Sequence, residues 1–363
     1  MAKLPPPKVV AVTEAARTGL DVLKRNLVPA PIALLDLVND LWGFHVAYSL
    51  AELRVPDALR AGPRAASAVA SELGLDEDAL YRVLRAASQL GVCEELPERS
   101  FALKPVGRAL CSDPQASFRD FIVYMGRHGT RFWRRLPDVI RQGKNAIELE
   151  TGKQPFEYLT VDPELAEDFN RAMTAVSNIA CDAFSAAYDV SFASKVVDIG
   201  GGHGRLLASV LQQAPHAQGV LFDAPSVVAG AGPTLQALGV SARVQTVGGD
   251  FFAAVPGGGD CYIAKSVIHD WSDSDAQKIL GNIRRAMAPK GRVLLYEAIV
   301  GLRNSASFAK LLDIEVLVTA GGRERTQDEY RALLAAAGLR LERFVPTAGP
   351  MSIIEAYASN SAT

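Results

Sequence analysis

The stretch KVVDIGGGHGRLL, residues 195–207, constrains the fold more than any other: a short apolar run containing one acid, four glycines among five residues, then the start of a helical pattern. It opens a series in which apolar runs alternate with helical ones. Candidate strands lie at 195–199, 219–222, 243–247, 261–264 and 292–296, and candidate helices at 205–214, 225–238 and 273–287. Continuous apolar strands separated by helices form a parallel, doubly wound sheet covered on both faces. Two further runs, 340–345 and 352–357, are joined by TAGPM, too short for a crossover helix, so they are expected to pair antiparallel at one edge.

Before residue 188 the apolar period is 3.6 and the connections are short and polar. In DEDALYRVLRAASQL, residues 76–90, Leu80, Val83, Leu84, Ala87 and Leu90 share one helical face; a shorter helix, 65–73, precedes it through Gly74. Gly91 closes the pair before the strand-like VCEEL and SFALK, which outlines a winged helix. On DNA, the second helix would bring Asp76, Glu77 and Asp78 up to the phosphates, so a structural or dimer-forming role is favoured over a DNA reader. The chain thus reads as a helical, winged-helix-like dimerisation domain with linking helices, 1–188, and a Rossmann-like α/β domain, 189–363.

With 363 residues and 49% apolar content, two cores can be filled. The 38 basic and 40 acidic side chains leave a formal charge of −2, which gives no general attraction for nucleic acid or an anionic membrane. Cys93, Cys111, Cys181 and Cys261 form no CxxC pair and read as buried thiols of a reducing compartment, without structural zinc. A proline run occupies the place of a signal-peptide core in MAKLPPPKVVAV, so a cytoplasmic location is expected. The apolar segment 31–53 is interrupted by Asp36, Asn39, Asp40, His45 and Glu52 and falls short of a membrane span. It needs more cover than one small helical domain offers, and a homodimer is expected.

In doubly wound sheets the ligand sits beyond the carboxyl ends of the strands, where the first strand turns into the first helix. The glycines let backbone approach a ligand closely, and the following helix offers free N–H groups. Arg205 stands where G-x-G-x-x-G needs its third glycine, so a dinucleotide is not the best fit. Asp223 ends the second strand, where an acid accepts ribose hydroxyls, and Asp250-Phe251 in GGDFF offers a carboxylate and an aromatic face at the end of the third. A ligand with ribose and adenine but no required diphosphate is S-adenosylmethionine, SAM.

The segments VVDIGGGHG, FDAPSVV, GGDFF, IAKSVIHDWSD, LLYEAIV and GGRERT, in this order and spacing, resemble the SAM-dependent O-methyltransferases of the plant caffeate and hydroxyindole type, with their bacterial natural-product relatives. The resemblance covers essentially the whole chain. It implies a seven-stranded Rossmann-like catalytic domain behind a winged-helix dimerisation domain, SAM as cofactor and S-adenosylhomocysteine as product. Contacts to SAM would come from Gly200, Gly202, Asp223, Asp250, Phe251 and Lys265, with Trp271 near the adenine and Ser177 of FNRAMTAVS at the methionine end. His269, which follows the strand CYIAKSVI, would be the general base; Glu324 would face it and Glu297, closing GRVLLYE, would lie at the same edge. Phe169, Met173, Phe308 and Leu312 would wall the pocket of a hydroxylated aromatic or polycyclic acceptor. Ser266 replaces a bulky residue of the plant caffeate enzymes and the loop 301–308 is shorter, which implies a different acceptor pocket.

Several of these residues have a plainer reading: core packing for Phe251 and Trp271, a strand-end hydrogen bond for Glu297, and an ion pair with Arg323 or Arg325 for Glu324; Asp270 is read as supporting the turn, without a part in the chemistry. No metal is expected. N- or C-methylation, a SAM-binding relative that transfers no methyl, and a SAM-sensing winged-helix regulator stay open. The chemistry also sets a condition. A phenol of pKa ~10 facing an imidazole of ~6.5 makes proton transfer uphill by ~4.8 kcal/mol. Either the carboxylates raise the basicity of His269, or the phenol is acidified, or the proton leaves as the methyl arrives.

Overall fold

The computed structural model describes residues 5–112 and 117–359. The chain forms two compact units, one of Ala15–Arg131 with Leu159–Asn178, the other of the residues up to Glu14, Phe132–Tyr158 and the chain from Ile179 onward. The partition at 188 marks where the sequence pattern changes. The sheet-bearing unit also takes in helices from before that point.

In the first unit, helix Ala66–Leu73 ends at Gly74 with φ +67°, and the next, Glu77–Gln89, starts on Asp76, whose Oδ1 accepts the Ala79 N–H at 2.8 Å. Acid at this helix start is therefore capping chemistry. Strands β1 (Arg64–Ala65), β2 (Cys93–Leu96) and β3 (Ser100–Leu103) pair antiparallel in the order β1-β3-β2 and complete the winged helix. Their core gathers Leu50, Val55, Leu59, Val69, Leu84 and Phe101. The apolar segment forms helix Ala30–Glu52, which buries only Leu50 and Ala51. Leu34, Leu37 and Trp42 on it are 64%, 65% and 62% exposed, the covering problem the sequence raised.

The second unit is built on seven strands: β4 (Lys195–Ile199), β5 (Gln218–Asp223), β6 (Val244–Gly248), β7 (Cys261–Lys265), β8 (Arg292–Ala298), β9 (Leu339–Pro346) and β10 (Met351–Ala358). Their order is β6-β5-β4-β7-β8-β10-β9, with β4 to β8 parallel and β10 antiparallel to both its neighbours. The last hairpin therefore sits at one edge, with β10 inside and β9 outermost. Successive residues point to opposite faces. Val196, Leu207, Leu211, Tyr296 and Ile353 fill one core, and Val197, Ile199, Tyr262, Ile279 and Leu295 fill the other.

The helix expected at 225–238 is two pieces, Pro225–Val228 and Gly232–Ala237, because Gly230, Gly232 and Pro233 interrupt it. Further helices include Pro7–Asn26, Pro163–Ala187, Arg205–Gln213, Asp273–Ala286, Phe308–Thr319 and Gln327–Ala336. All four cysteines are buried. No helix of the described residues is long and apolar enough to cross a membrane.

Candidate active site

The carboxyl ends of the parallel strands bring the predicted residues of this unit to one edge. Gly200 and Gly202 take left-handed φ of +63° and +58°, a conformation that costs glycine nothing. The Gly202 N–H donates to Asp223 Oδ2 at 2.8 Å and the Ala224 N–H to Oδ1 at 2.7 Å, which fixes the carboxylate closing β5 against the glycine turn. Burial pushes the Asp223 carboxyl up against these two donors. Beneath the turn Asp198 is fully buried and pushed up to about 7 by that burial, with Lys265 opposing. Its Oδ2 has no hydrogen-bond partner.

Asp250 is exposed and accepts the Phe252 N–H at 2.8 Å. Phe251 and Phe252 meet Trp271 edge-on, with centroids 5.7 Å and 4.7 Å away, and Phe156 stacks on Trp271 at 5.6 Å. Phe251, Phe252 and Trp271 also pack partly buried on the core, so the plain packing reading describes their lower faces. Phe156 sits in the short helix Pro155–Leu159, where no periodicity marks it. A glycine turn, one carboxylate at the end of β5, a second after β6 and a cluster of aromatic edges together fit an adenosyl ligand.

Past β7 the chain turns through Ser266 at φ +52° into a single 3-10 turn, Ile268–Asp270. The His269 side chain is 12% exposed. Its Nδ1–H donates to Glu324 Oε1 at 2.6 Å, while Glu297 Oε2 lies 3.7 Å from Nδ1 and Asp270 Oδ1 lies 3.6 Å from Nε2. Glu297 Oε1 accepts the N–H groups of Val267 and Ile268 at 3.1 and 2.9 Å, the strand-end bond of the plainer reading. Its Oε2 and Glu324 Oε2 are buried without hydrogen-bond partners.

Burial alone would depress the His269 imidazole; the charges of Asp270 and Glu297 and the hydrogen bond to Glu324 overcome it and raise it to about 10. Burial, with the Glu324 charge, pushes Glu297 up to about 7 against the pull of His269. The Asp270 carboxylate comes within 3.6 Å of Nε2, beyond hydrogen-bond distance. Donor atoms of His269, Glu297 and Glu324 lie within 4.8 Å of one another, a spacing that could also hold a metal ion.

The two segments HDWSD and GGRERT interlock residue by residue. A Cβ on Gly322 would stand 2.0 Å from the His269 carbonyl oxygen, so only glycine passes there. The Arg323 N–H donates to that same oxygen at 2.7 Å, and the Glu324 N–H donates to Asp313 Oδ1 at 2.8 Å. The ion pair set against the active role of Glu324 does not form: Arg323 pairs with Glu329 at 2.9 Å and Arg325 with Asp273 at 2.8 Å. Sequence reasoning singled out neither Asp273 nor Asp313, and it read Arg325 only as an ion partner.

Phe308 and Leu312 lie on helix Phe308–Thr319, one on each of two successive turns, and Phe308 is 57% exposed. Glu315 follows on the same stripe and accepts a hydrogen bond from the Trp133 indole. Phe169, Met173 and Ser177 are half-buried on helix Pro163–Ala187, in the stretch that belongs to the first unit. There Phe169 meets Tyr124 edge-on at 5.9 Å.

A glycine-turn sheet with this strand order and a buried histidine–carboxylate cluster at its ligand edge defines a SAM-dependent methyltransferase fold. The family model for the O-methyltransferase domain matches residues 133–340, and that for the O-methyltransferase dimerisation domain matches residues 35–113. The chain belongs to the plant-type O-methyltransferase family. It is 37% identical to the phenazine O-methyltransferase PhzM of Lysobacter antibioticus, over 92% of this chain and 98% of that one. It is 36% identical to the mitomycin biosynthesis 6-O-methyltransferase of Streptomyces lavendulae, over 88% and 92%. An 8-amino-8-demethylriboflavin N,N-dimethyltransferase of Streptomyces davaonensis is 34% identical, over 87% and 92%. Among solved structures, human N-acetylserotonin methyltransferase in complex with SAM superposes with a TM-score of 0.84 at 26% identity, over 92% and 99%.

Proposed function

We propose that the protein transfers the methyl group of SAM to a phenolic hydroxyl oxygen of an aromatic or polycyclic small molecule, with His269 as general base. The observation that carries this reading is the imidazole held through Nδ1 by Glu324 at 2.6 Å, beside the glycine turn, with Nε2 left for an acceptor. When bound, SAM supplies a methyl group on a positively charged sulfur. Gly200, Gly202, Asp223, Asp250, Phe251, Lys265 and Trp271 would hold it, and Ser177 its methionine end. Phe169, Met173, Phe308 and Leu312 would wall the acceptor. The methyl acceptor must lie behind the methyl group with its proton removed, so alignment and a base are what the protein has to provide.

Nε2 takes the hydroxyl proton while Nδ1–H stays on Glu324, and the carboxylates of Glu297 and Asp270 stabilise the imidazolium. With His269 raised to about 10, transfer from a phenol of pKa ~10 is nearly level instead of uphill. The reading is metal-free: Nδ1 of His269 is held by Glu324 and Glu297 Oε1 by two backbone N–H groups, which leaves the Oε2 atoms of Glu297 and Glu324 unengaged. The exposed apolar face of helix Ala30–Glu52 supports a homodimer. N-methylation is the second reading, favoured by the N,N-dimethyltransferase relative.

The test is a radiolabelled methyl-transfer assay over phenols, anthraquinones, hydroxyindoles and aromatic amines. We expect label in a hydroxylated acceptor, unchanged by EDTA. His269→Ala should lose at least about 100-fold in turnover while retaining SAM affinity. Full activity of that variant overturns the base, label confined to amines favours the second reading, and loss in EDTA overturns metal-free transfer.

A further inference from the structure

We propose that Arg325 is a positioning residue that keeps the proton-accepting side chain and the adenine-side aromatic ring in register with Glu324. The inference rests on the reading of His269 as base. The Arg325 side chain is 1% exposed, and each of its three nitrogens donates a hydrogen bond. Nε donates to Asp273 Oδ1 at 2.9 Å, Nη1 to the carbonyls of Ile268 and Arg323 at 3.1 and 3.3 Å, and Nη2 to the Trp271 carbonyl at 2.9 Å, while Asp273 Oδ1 forms an ion pair with Nη2 at 2.8 Å.

Ile268 and Trp271 bracket His269 and Asp270, so one planar cation spans the turn that carries the imidazole and the indole. Arg323 and Arg325 flank Glu324, so the same cation also fixes the backbone from which Glu324 reaches His269. Lysine cannot reproduce this, because its ammonium is a point charge without the guanidinium fork. Slackening the fork would free three carbonyls, that of Ile268 fully buried, and move two sites together. That joint movement distinguishes positioning from general support. Asp270, Glu297 and Glu324 are the charged groups that face the imidazole, and their distances to it depend on this turn.

The experiment compares Arg325→Lys, Arg325→Ala and Asp273→Asn with wild type by pH–turnover profile, by calorimetric S-adenosylhomocysteine affinity and by melting temperature. Methylguanidinium is added to the alanine variant. We expect turnover of Arg325→Lys to fall by about 10- to 100-fold, with the ascending limb of its profile moved to lower pH and affinity for S-adenosylhomocysteine down by about fivefold or more. Methylguanidinium should restore part of the loss. Asp273→Asn, which removes only the half-exposed anchor, should move both readouts in the same direction by less, and decides the matter if the Arg325 variants do not fold. Variants of either residue with an unmoved pH profile and unchanged affinity overturn the proposal, including variants whose turnover falls only as far as their melting temperature explains. An active His269→Ala overturns the base reading instead; the affinity readout then decides for or against Arg325 alone.

Discussion

At the scale of single residues, the proposed chemistry turns on one histidine among three carboxylates. Its raised pKa has a cost as well as a use. Below about 10 the imidazole is protonated and cannot accept a proton, so turnover should climb about tenfold per pH unit until the limb bends near 10. Glu324→Gln removes one of the groups that raise it, and the limb should bend at lower pH, toward the ordinary ~6.5, with a lower ceiling on simple phenols because transfer is uphill again. A profile of turnover between about pH 6 and 10.5 checks this; a limb unmoved in the variant would remove Glu324 as a cause. Stability follows the same sign: a folded pKa above the unfolded value of ~6.5 gives a contribution complete below that pH and lost as pH rises through about 10. His269, Glu297 and Glu324 were legible in the sequence because a strand end and two specific segments carry them. Arg325, Asp273 and Phe156 were not, since their parts are set by partners distant in sequence and no spacing along the chain encodes them.

At the scale of elements, the strands were the easiest to read. β4 to β8 are continuous apolar runs, and the glycine turn and TAGPM punctuate them. Helix Phe308–Thr319 escaped because FAKLLDIEVLVT is apolar on most sides and shows no clean period. Helix Gln327–Ala336 carries a capping box, Thr326 with Glu329, that was there to be read. The turn before it makes the sharpest prediction. Gly322→Ala would set a methyl 2.0 Å from the His269 carbonyl oxygen, so the 322–324 backbone must shift and carry Glu324 away. The expected outcome is a loss of about 1–3 kcal/mol in stability by denaturant titration, with turnover falling alongside. A fully active and stable variant would show that the two segments do not need their tight approach.

At the scale of the whole molecule, the apolar stretch 31–53 is the expected interface, since its length and composition exceed what a small helical domain can bury. Charge on its exposed side should separate the subunits. Leu37→Asp with Trp42→Asp is expected to shift the mass by light scattering from two chains to one; a wild-type chain already monomeric at micromolar concentration would refute the dimer. The discontinuous make-up of the sheet-bearing unit was not legible, since the helices of Phe132–Tyr158 join it through contacts that no local pattern records.

The position of β10 has a consequence for how the protein comes into being. Its register sets Ser352 opposite Glu297, so the strand that carries one of the carboxylates facing the base gains its second neighbour only from residues made late in synthesis. A nascent chain that has emerged as far as residue 350 presents β8 as a bare edge, open to pairing with other chains. The histidine cluster is thus among the last features of the molecule to be secured, and a ribosome-bound fragment would hold the glycine turn long before it held the completed histidine–carboxylate cluster.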